Sequence, residues 1–268
     1  MAVNHILFVA IPTVALLLNL YLLLICISAK KNKLIYAFMW LVIAFSAWTG
    51  GSAGMRAMLF PGVRFWYDVS LIGIFSTPFL LYNFIHHYTN QKGSFILISI
   101  GVGWLILVML QLSDVFIKLP EVTAQGDART FSYTMTGWVV LPLFLGLLTL
   151  VMAARLVHTA VKRQGMPTSS MQPLYLGALF MFAGLASSAL PGMGSFPVDP
   201  LACGINAVLL FYALHRKRLI TFKMVTSRGP VYLAAAILTT LLLAIVYPTL
   251  DRLYLRLFPE YVQQQTIV

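Results

Sequence analysis

Charged residues are scarce in this chain of 268 amino acids: they make up 9% of it, whereas a soluble domain carries about 25%. Hydrophobic residues make up 60%, and the mean hydropathy is +0.89. So few charges cannot cover a surface that faces water. The longest polar stretches are about a dozen residues, far below the roughly 50 that a small domain needs. The composition therefore excludes a soluble domain within the chain and indicates a polytopic membrane protein.

The chain also has only seven acidic residues and two cysteines. The net charge of +11 does not indicate nucleic acid as a partner, because the basic residues lie in short groups between apolar runs, which is a pattern of membrane topology. Cys26 and Cys203 fall in runs that we expect to place them near opposite faces of the bilayer. We therefore expect no disulfide between them.

Eight apolar runs are candidates for membrane-spanning helices, which need about 20 apolar residues each. The sequence therefore predicts an all-α fold: a bundle of seven core transmembrane helices followed by an eighth, C-terminal helix. The seventh run is short, but Asp199 and Pro200 supply a helix cap and a proline at the first helical position. The runs cover residues 5–28, 34–59, 66–88, 95–117, 137–160, 174–194, 200–216 and 230–250.

The basic residues predict an N-terminus on the outer side of the membrane. Inner loops carry an excess of Lys and Arg, and with this orientation the inner connections hold 12 of the 18 basic residues. All seven acidic residues then fall on the outer side. The inner face is purely basic, which suits anionic lipid headgroups. The inner basic residues are Lys30, Lys31, Lys33, Lys92, Arg155, Lys162, Arg163, Arg216, Lys217, Arg218, Lys223 and Arg228.

Helices two, three and seven carry a family resemblance. The second and third runs read I-Y-A-F-M-W-L-V-I-A-F-S-A-W and F-W-Y-D-V-S-L-I-G-I-F-S-T-P-F-L-L-Y-N-F-I-H-H-Y-T, and the seventh ends in Y-A-L-H-R-K-R-L. Over residues 1–222 the chain resembles the N-terminal seven-helix membrane region of bacterial sensor histidine kinases and related receptors. The matching positions are Trp48, Gly73, Pro78, Phe84, Tyr88, Thr89, Tyr212, Ala213, Arg216, Arg218 and Leu219.

The resemblance implies a receptor module of a two-component type system in the bacterial inner membrane. Residues 1–222 would form the sensor region, and residues 223–268 an additional transmembrane helix and tail, or the start of a further hairpin. Arg216 and Arg218, at the exit of the last helix, would pass a helix shift to a cytoplasmic output domain. His86 and His87 lack the sequence context of a phosphoacceptor, and no cysteine or carboxylate accompanies them as a metal ligand. The sequence also has no nucleophile–base pairing or metal-ligand spacing, so we expect no catalytic residue, no metal and no cofactor in this chain. We hypothesise that it is the N-terminal part of a longer receptor.

The stretch W-T-G-G-S-A-G-M-R-A-M-L, from Trp48 to Leu59, holds small residues inside an apolar run. Gly50 and Gly54 form a G-x-x-x-G pair, which lets two helices approach closely in lipid. Together with Gly73 and Pro78 on the third run, they predict helix packing inside one bundle. A dimer contact and a ligand cleft remain alternatives for the same glycines.

Arg56, one turn before the outer end of the second run, needs a partner or a route to the headgroups. Asp68 on the third run lies near the same level, so the sequence predicts an Arg56–Asp68 pair. This pair is either an outer-rim salt bridge or part of a pocket in which Arg56 binds an anionic group between aromatic walls. The candidate ligand-binding residues are Trp48, Arg56, Trp66, Tyr67, Asp68, Asp114 and Trp138.

The function predicted from these features is that of a sensor that binds a small, amphipathic signal near the outer side of the bundle. Two alternatives come from other classes. The first is a stand-alone membrane subunit that assembles with a partner, either a homodimer or another membrane protein, and the second is a small transporter. Charges at the midplane and repeated halves are typical of transporters, and neither occurs in this sequence.

Overall fold

The computed structural model describes residues 2–91, 95–125, 128–164, 168–188 and 198–217. These residues fold mostly into helices, as predicted. A short β-hairpin and a 3-10 turn at Gly137–Val139 connect the fourth helix to the fifth. The elements are α1 (Ala2–Ser28), α2 (Lys33–Arg56), α3 (Val63–Tyr88), α4 (Phe95–Gln111), β1 (Glu121–Gln125), β2 (Ala128–Ser132), α5 (Val140–Gln164), α6 (Thr168–Ser188) and α7 (Val198–Arg216). The predicted eighth helix, over 230–250, and the boundary at residue 222 lie outside the described residues.

Among the described segments, five are both long and apolar enough to cross a membrane: Val9–Ser28, Lys33–Arg56, Val63–Tyr88, Gly137–Lys162 and Val198–Arg216. Each lies within or closely overlaps a predicted run. The fourth run was predicted to continue to residue 117, but α4 ends at Gln111 after 17 residues. The chain turns away soon afterwards, where Asp114 adopts a left-handed conformation with φ of 56°. That backbone region cannot continue a right-handed helix.

Glycines allow α2 and α3 to pack with their backbones in direct contact. A Cβ atom on Gly51 would lie 2.5 Å from the carbonyl oxygen of Trp66, and one on Gly73 would lie 2.5 Å from the backbone nitrogen of Trp48. A Cβ atom on Gly54 would lie 2.3 Å from Cδ2 of the Trp66 ring. No side chain can occupy these positions unless the helices separate.

The sequence pointed to Gly50 and Gly54 as the close-packing pair, but the structure gives this role to Gly51 and Gly54. A Cβ atom on Gly50 would lie 3.4 Å from Cδ1 of Leu16 on α1, which is nearly an ordinary van der Waals contact. Pro78 is half-buried inside α3, and the helix continues through it to Tyr88.

Buried polar side chains join the helices that surround this pair. Asn19 of α1 donates from Nδ2 to Oγ1 of Thr49 on α2 at 3.4 Å, and its amide also lies beside the thiol of Cys203 on α7. Farther along α7, Gly177 of α6 leaves room for the Asn206 amide, because a Cβ atom at Gly177 would overlap Oδ1 of Asn206. Interhelical contacts of this kind, between small and polar residues, are typical of packing in lipid.

The β-hairpin is held on the bundle by buried groups. Gln111, the last residue of α4, donates from Nε2 to the carbonyl of Ile117 at 2.8 Å and accepts from the backbone nitrogen of Ile117 at 3.0 Å. The hydroxyl of Tyr67 lies 2.8 Å from the same carbonyl. Phe116 and Phe131 are buried in one apolar cluster with side chains of α2, α3 and α4. The β-hairpin is therefore a structured part of the bundle.

The bundle has two distinct ends. The hairpin end comprises the β-hairpin, the ends of α2 and α4, and the starts of α3, α5 and α7. The basic end comprises the ends of α1, α3 and α7 and the start of α2. Asn32 caps the start of α2 by accepting from the backbone nitrogen of Ile35 at 2.8 Å, and Lys31 donates to the carbonyls of Cys26 and Ile27 at the end of α1.

Candidate functional site

A buried polar cluster at the hairpin end joins α2 to the start of α7. Trp48 is 1% exposed, and its indole Nε1 donates to Oδ2 of Asp199 at 3.1 Å. Arg56 is 8% exposed, and its Nε donates to Oγ of Ser52 at 3.2 Å. The charge of Asp199 acts on the Arg56 guanidinium. We call these four residues the Arg56 cluster.

Helical periodicity explains why three members of the Arg56 cluster lie together. Trp48, Ser52 and Arg56 are spaced four residues apart, so they lie on one face of α2. This face meets the first turn of α7, where Asp199 lies. A carboxylate is favoured there because the first turn of a helix presents unpaired N–H groups and the positive end of the helix dipole. The cluster therefore needs both α2 and α7 to be in place.

Tyr133, just after β2, also lies close to the Arg56 cluster, because its hydroxyl interacts electrostatically with Arg56 and Asp199. Tyr133 is 38% exposed, but its phenol group is largely surrounded by protein, and this burial raises the pKa of Tyr133 to about 12. The charge of Arg56 opposes the rise in pKa, and the charge of Asp199 adds to it. Tyr133 therefore stays a neutral hydrogen-bonding group at neutral pH. Through it the hairpin is linked to α2 and α7.

The Arg56 cluster has the chemistry of an anion-binding site with aromatic walls. A guanidinium is always charged and presents five donors in a fixed plane, which matches carboxylate and phosphate groups. Trp48 and Tyr133 supply aromatic surface with a polar tip. Because the surroundings are apolar, electrostatic interactions there are stronger than in water. An anionic ligand would compete with Asp199 for the guanidinium.

A second polar cluster at the hairpin end lies between α3 and the turn after α4. Arg64 donates from Nε to Oδ2 of Asp68 at 3.0 Å and from Nη1 to Oδ2 of Asp114. The predicted Arg56–Asp68 pair is therefore incorrect: in the described part of the chain, Asp68 forms its ion pair with Arg64. Arg64 and Asp68 are four residues apart on α3, a spacing that brings oppositely charged side chains together on a helix.

The predicted ligand-binding residues thus fall into separate groups. Trp48 and Arg56 belong to the Arg56 cluster, while Asp68 and Asp114 bind Arg64. Tyr67 and Trp66 have structural contacts, since Tyr67 holds the hairpin and the Trp66 indole donates to the carbonyl of Leu59 at 3.0 Å. Trp138 is 69% exposed.

Three residues near Arg56 were not among the predicted site residues. Asp199 was recognised only as a helix cap, although a carboxylate at the start of a membrane helix is also a signal for a buried partner. Ser52 could have been found from its spacing of four residues before Arg56. Nothing in the sequence indicates that Tyr133 lies close to Arg56, because its position depends on the path of the hairpin.

At the basic end, Arg216 is the last residue of α7 and is exposed, while Arg218 lies outside the described residues. Cys26 and Cys203 are both buried, and their thiols are free.

The described segments contain no group of three His, Cys, Asp or Glu side chains that could hold a metal ion.

The apolar helices and their lipid-type packing define the class of this protein, a multi-pass helical membrane protein. The family follows from comparison: the model of the N-terminal seven-transmembrane region of histidine kinase matches residues 7–223, which is most of the chain. The chain therefore belongs to this family of membrane sensor regions, as the sequence motifs predicted. A comparison with curated proteins gives no match.

Proposed function

We propose that this chain is the sensor module of a two-component type receptor in the bacterial inner membrane, with its N-terminus and the hairpin end outside. The charge distribution supports this orientation. Lys30, Lys31, Lys33, Arg216 and Lys217 lie at the basic end, whereas Asp68, Asp114, Glu121 and Asp199 lie at the hairpin end. Basic residues concentrate on the cytoplasmic side of membrane proteins.

The orientation has a direct test with exposed positions at the two ends. Met135→Cys at the hairpin end and Asn90→Cys after α3 place thiols at exposed residues, while the native cysteines are buried. A maleimide that cannot cross membranes should label Met135→Cys in intact cells and Asn90→Cys only after lysis. The reverse pattern would overturn the proposed orientation.

The proposed signal is a small amphipathic molecule with an anionic group, bound at the Arg56 cluster. The observation that carries this proposal is the nearly complete burial of Arg56, whose guanidinium feels the charge of Asp199 and the hydroxyl of Tyr133, while Trp48 bonds to the same carboxylate. An anion that enters between Arg56 and Asp199 would weaken the attachment of α7 to α2. Its affinity would therefore differ between two positions of α7, which is the requirement for a ligand to shift an equilibrium.

Helix α7 would then carry the signal across the membrane. It begins beside Trp48 at the hairpin end and ends at Arg216 at the basic end, so one rigid helix connects the proposed site to the cytoplasm. A shift of its first turn would reach Arg216 and Arg218 and from there a cytoplasmic output domain. In this proposal the chain itself performs no catalysis.

The ligand proposal can be tested with three probes of equal chain length and different charge: octanoate, octanol and octylamine. The purified chain in lipid nanodiscs should gain thermal stability with octanoate, and much less with octanol or octylamine. Arg56→Gln should remove the octanoate effect. Arg64→Gln, which also removes one cation at the hairpin end, should leave it unchanged.

Equal stabilisation by all three probes would indicate unspecific partitioning into lipid and would overturn the proposed site. Loss of the octanoate effect in Arg64→Gln but not in Arg56→Gln would move the site to the second polar cluster. The size of the native gene product tests the output domain separately. We expect a product much larger than the 29.8 kDa of this chain, and a product of that mass would contradict a cytoplasmic output domain on the same chain.

A further inference from the structure

A lysine connects the exit of α7 to the end of α3. Lys217 follows α7 directly, and its Nζ donates to the backbone carbonyl of Tyr88, the last residue of α3. The same ammonium group lies 3.8 Å from the centroid of the Tyr88 ring. One cation therefore satisfies both a carbonyl at a helix terminus and an aromatic face.

The Tyr88 side of this contact is rigid. Tyr88 is 0% exposed, and its ring lies 5.8 Å from the ring of Phe84, which in turn lies 5.6 Å from Phe38 on α2. Phe38 also lies 6.5 Å from Phe211 on α7. The ring that receives the cation is thus fixed by aromatic contacts among α2, α3 and α7.

On the other side of the contact, the ammonium group of Lys217 gives up part of its hydration, and the carbonyl and ring of Tyr88 offset this loss. Burial lowers the pKa of Lys217, because the ammonium group is partly removed from water. A lysine at the end of a membrane helix ordinarily extends its long side chain to the headgroups. Lys217 instead folds inward onto Tyr88. This difference indicates that its position is specific and not only a consequence of the basic rim.

We propose that Lys217 is a positioning residue that holds the exit of α7 in register with the end of α3. This inference rests on the proposed function, since it gives the contact a role in the signal that α7 carries. A shift of α7 along or around its axis must release Lys217 from Tyr88, because the buried ring cannot follow. The Lys217–Tyr88 contact would then keep the exit helix in one position until the signal is bound.

Amide hydrogen exchange of the chain in nanodiscs tests the contact without any ligand. Lys217→Met should make the amides of Phe211–Lys217 exchange about tenfold faster, because a desolvated cation–aromatic contact no longer opposes local opening. Lys217→Arg should preserve protection, since a guanidinium also stacks on aromatic rings and donates to carbonyls. Tyr88→Phe, which keeps both the ring and the carbonyl, should also preserve it.

Lys31→Met is the matched control. Lys31 lies at the same end and carries the same charge, but its bonds go to carbonyls of the preceding helix α1 and to Sδ of Met39 on α2. Unchanged exchange in Lys217→Met, or equally fast exchange of the α7 amides in Lys31→Met, would overturn the proposal. If Lys217→Met unfolds the chain, Lys217→Gln gives the same test with a polar side chain. A failure here would leave octanoate binding at Arg56 untouched, so the two proposals can fail independently.

Discussion

The two ends of the bundle are stabilised by different kinds of contact. At the hairpin end, Gln111 pairs with both backbone groups of Ile117, and Trp48 bonds to the carboxylate of Asp199. These contacts each need one specific partner. Replacing one partner should therefore remove the whole contact.

At the basic end, cations contact carbonyl oxygens and an aromatic ring. Lys31 binds carbonyls at the end of α1, and Lys217 binds the carbonyl and the ring of Tyr88. Such contacts neutralise no charge, so this end stays strongly basic. The comparison teaches that one bundle can close its two ends in different ways, with specific pairs of hydrogen-bonding groups at one end and, at the other, contacts in which each cation keeps its net charge.

The largest expected effect concerns the α2–α3 contact near the hairpin end. Gly51→Ala should destabilise the chain by about 3 kcal/mol, because the new Cβ atom meets the backbone of α3 and the helices must separate. Gly50→Ala is the adjacent control, and its Cβ atom meets only a leucine side chain on α1. It should change the free energy of unfolding by less than about 1 kcal/mol. Thermal unfolding of both variants in one detergent measures the difference, and equal losses would contradict the assignment of Gly51.

The next effect tests whether the hairpin end depends on its paired backbone groups. Gln111→Leu should cost about 2 kcal/mol, because it leaves the part-buried N–H group of Ile117 without its partner and its C=O group with only the Tyr67 hydroxyl. Lys31→Met, at the basic end, should cost less than about 1 kcal/mol because Lys31 is exposed. Unfolding of the two variants side by side compares the two ends directly. A larger loss for Lys31→Met would reverse the comparison.

A smaller loss of stability should follow from removal of the hydrogen bond between Trp48 on α2 and Asp199 on α7. Trp48→Phe keeps most of the aromatic volume but leaves Asp199 without its indole donor, so we expect a loss of about 1.5 kcal/mol. Asp199→Asn should recover part of the loss in the double variant, since an amide is less costly than a charge when it lacks a partner. A double-mutant cycle measures this coupling, and strictly additive losses would show that the bond contributes nothing.

The smallest effect belongs to the exposed ion pairs of the second polar cluster. The side chain of Arg64 is 43% exposed, and ion pairs at the surface contribute about 0–1 kcal/mol. Arg64→Gln should therefore change the stability by less than about 1 kcal/mol, and the change should shrink in high salt. A large loss that salt does not reduce would place this cluster among the contacts that hold the hairpin end.

The positions of the helices were largely predictable from the sequence, because long apolar runs separated by charges decide where a chain crosses lipid. The end of α4 was not predictable, since apolar residues continue past Gln111 while the backbone turns at Asp114.

The hairpin could have been predicted from the sequence. The strands of E-V-T-A-Q and A-R-T-F-S flank Gly126 and Asp127, a dipeptide typical of two-residue hairpin loops.

The site was only partly predictable, for a different reason. Arg56 and Trp48 could be identified as unusual residues in a membrane run, but their partner depends on which helix lies alongside. Asp68 is close in sequence and Asp199 is distant, but Asp68 pairs with Arg64, and the charge that acts on Arg56 is that of the distant Asp199. In the same way, the glycine pattern allowed either Gly50 or Gly51 to face α3. A periodicity of 3.6 residues per turn does not distinguish two adjacent positions without knowledge of the neighbouring helix.

The separation in sequence between Trp48 and Asp199 has a consequence for the order of assembly during synthesis. These two residues are 151 positions apart, so at about 5–20 residues per second the ribosome makes Asp199 roughly 8–30 s after Trp48. The backbone contact between α2 and α3 needs no later helix and can form as soon as both are inserted. The insertion machinery therefore receives a finished helical hairpin that carries an unpaired indole. The arrival of α7 completes the bond, so the connection between α2 and α7 forms only after the contact between α2 and α3.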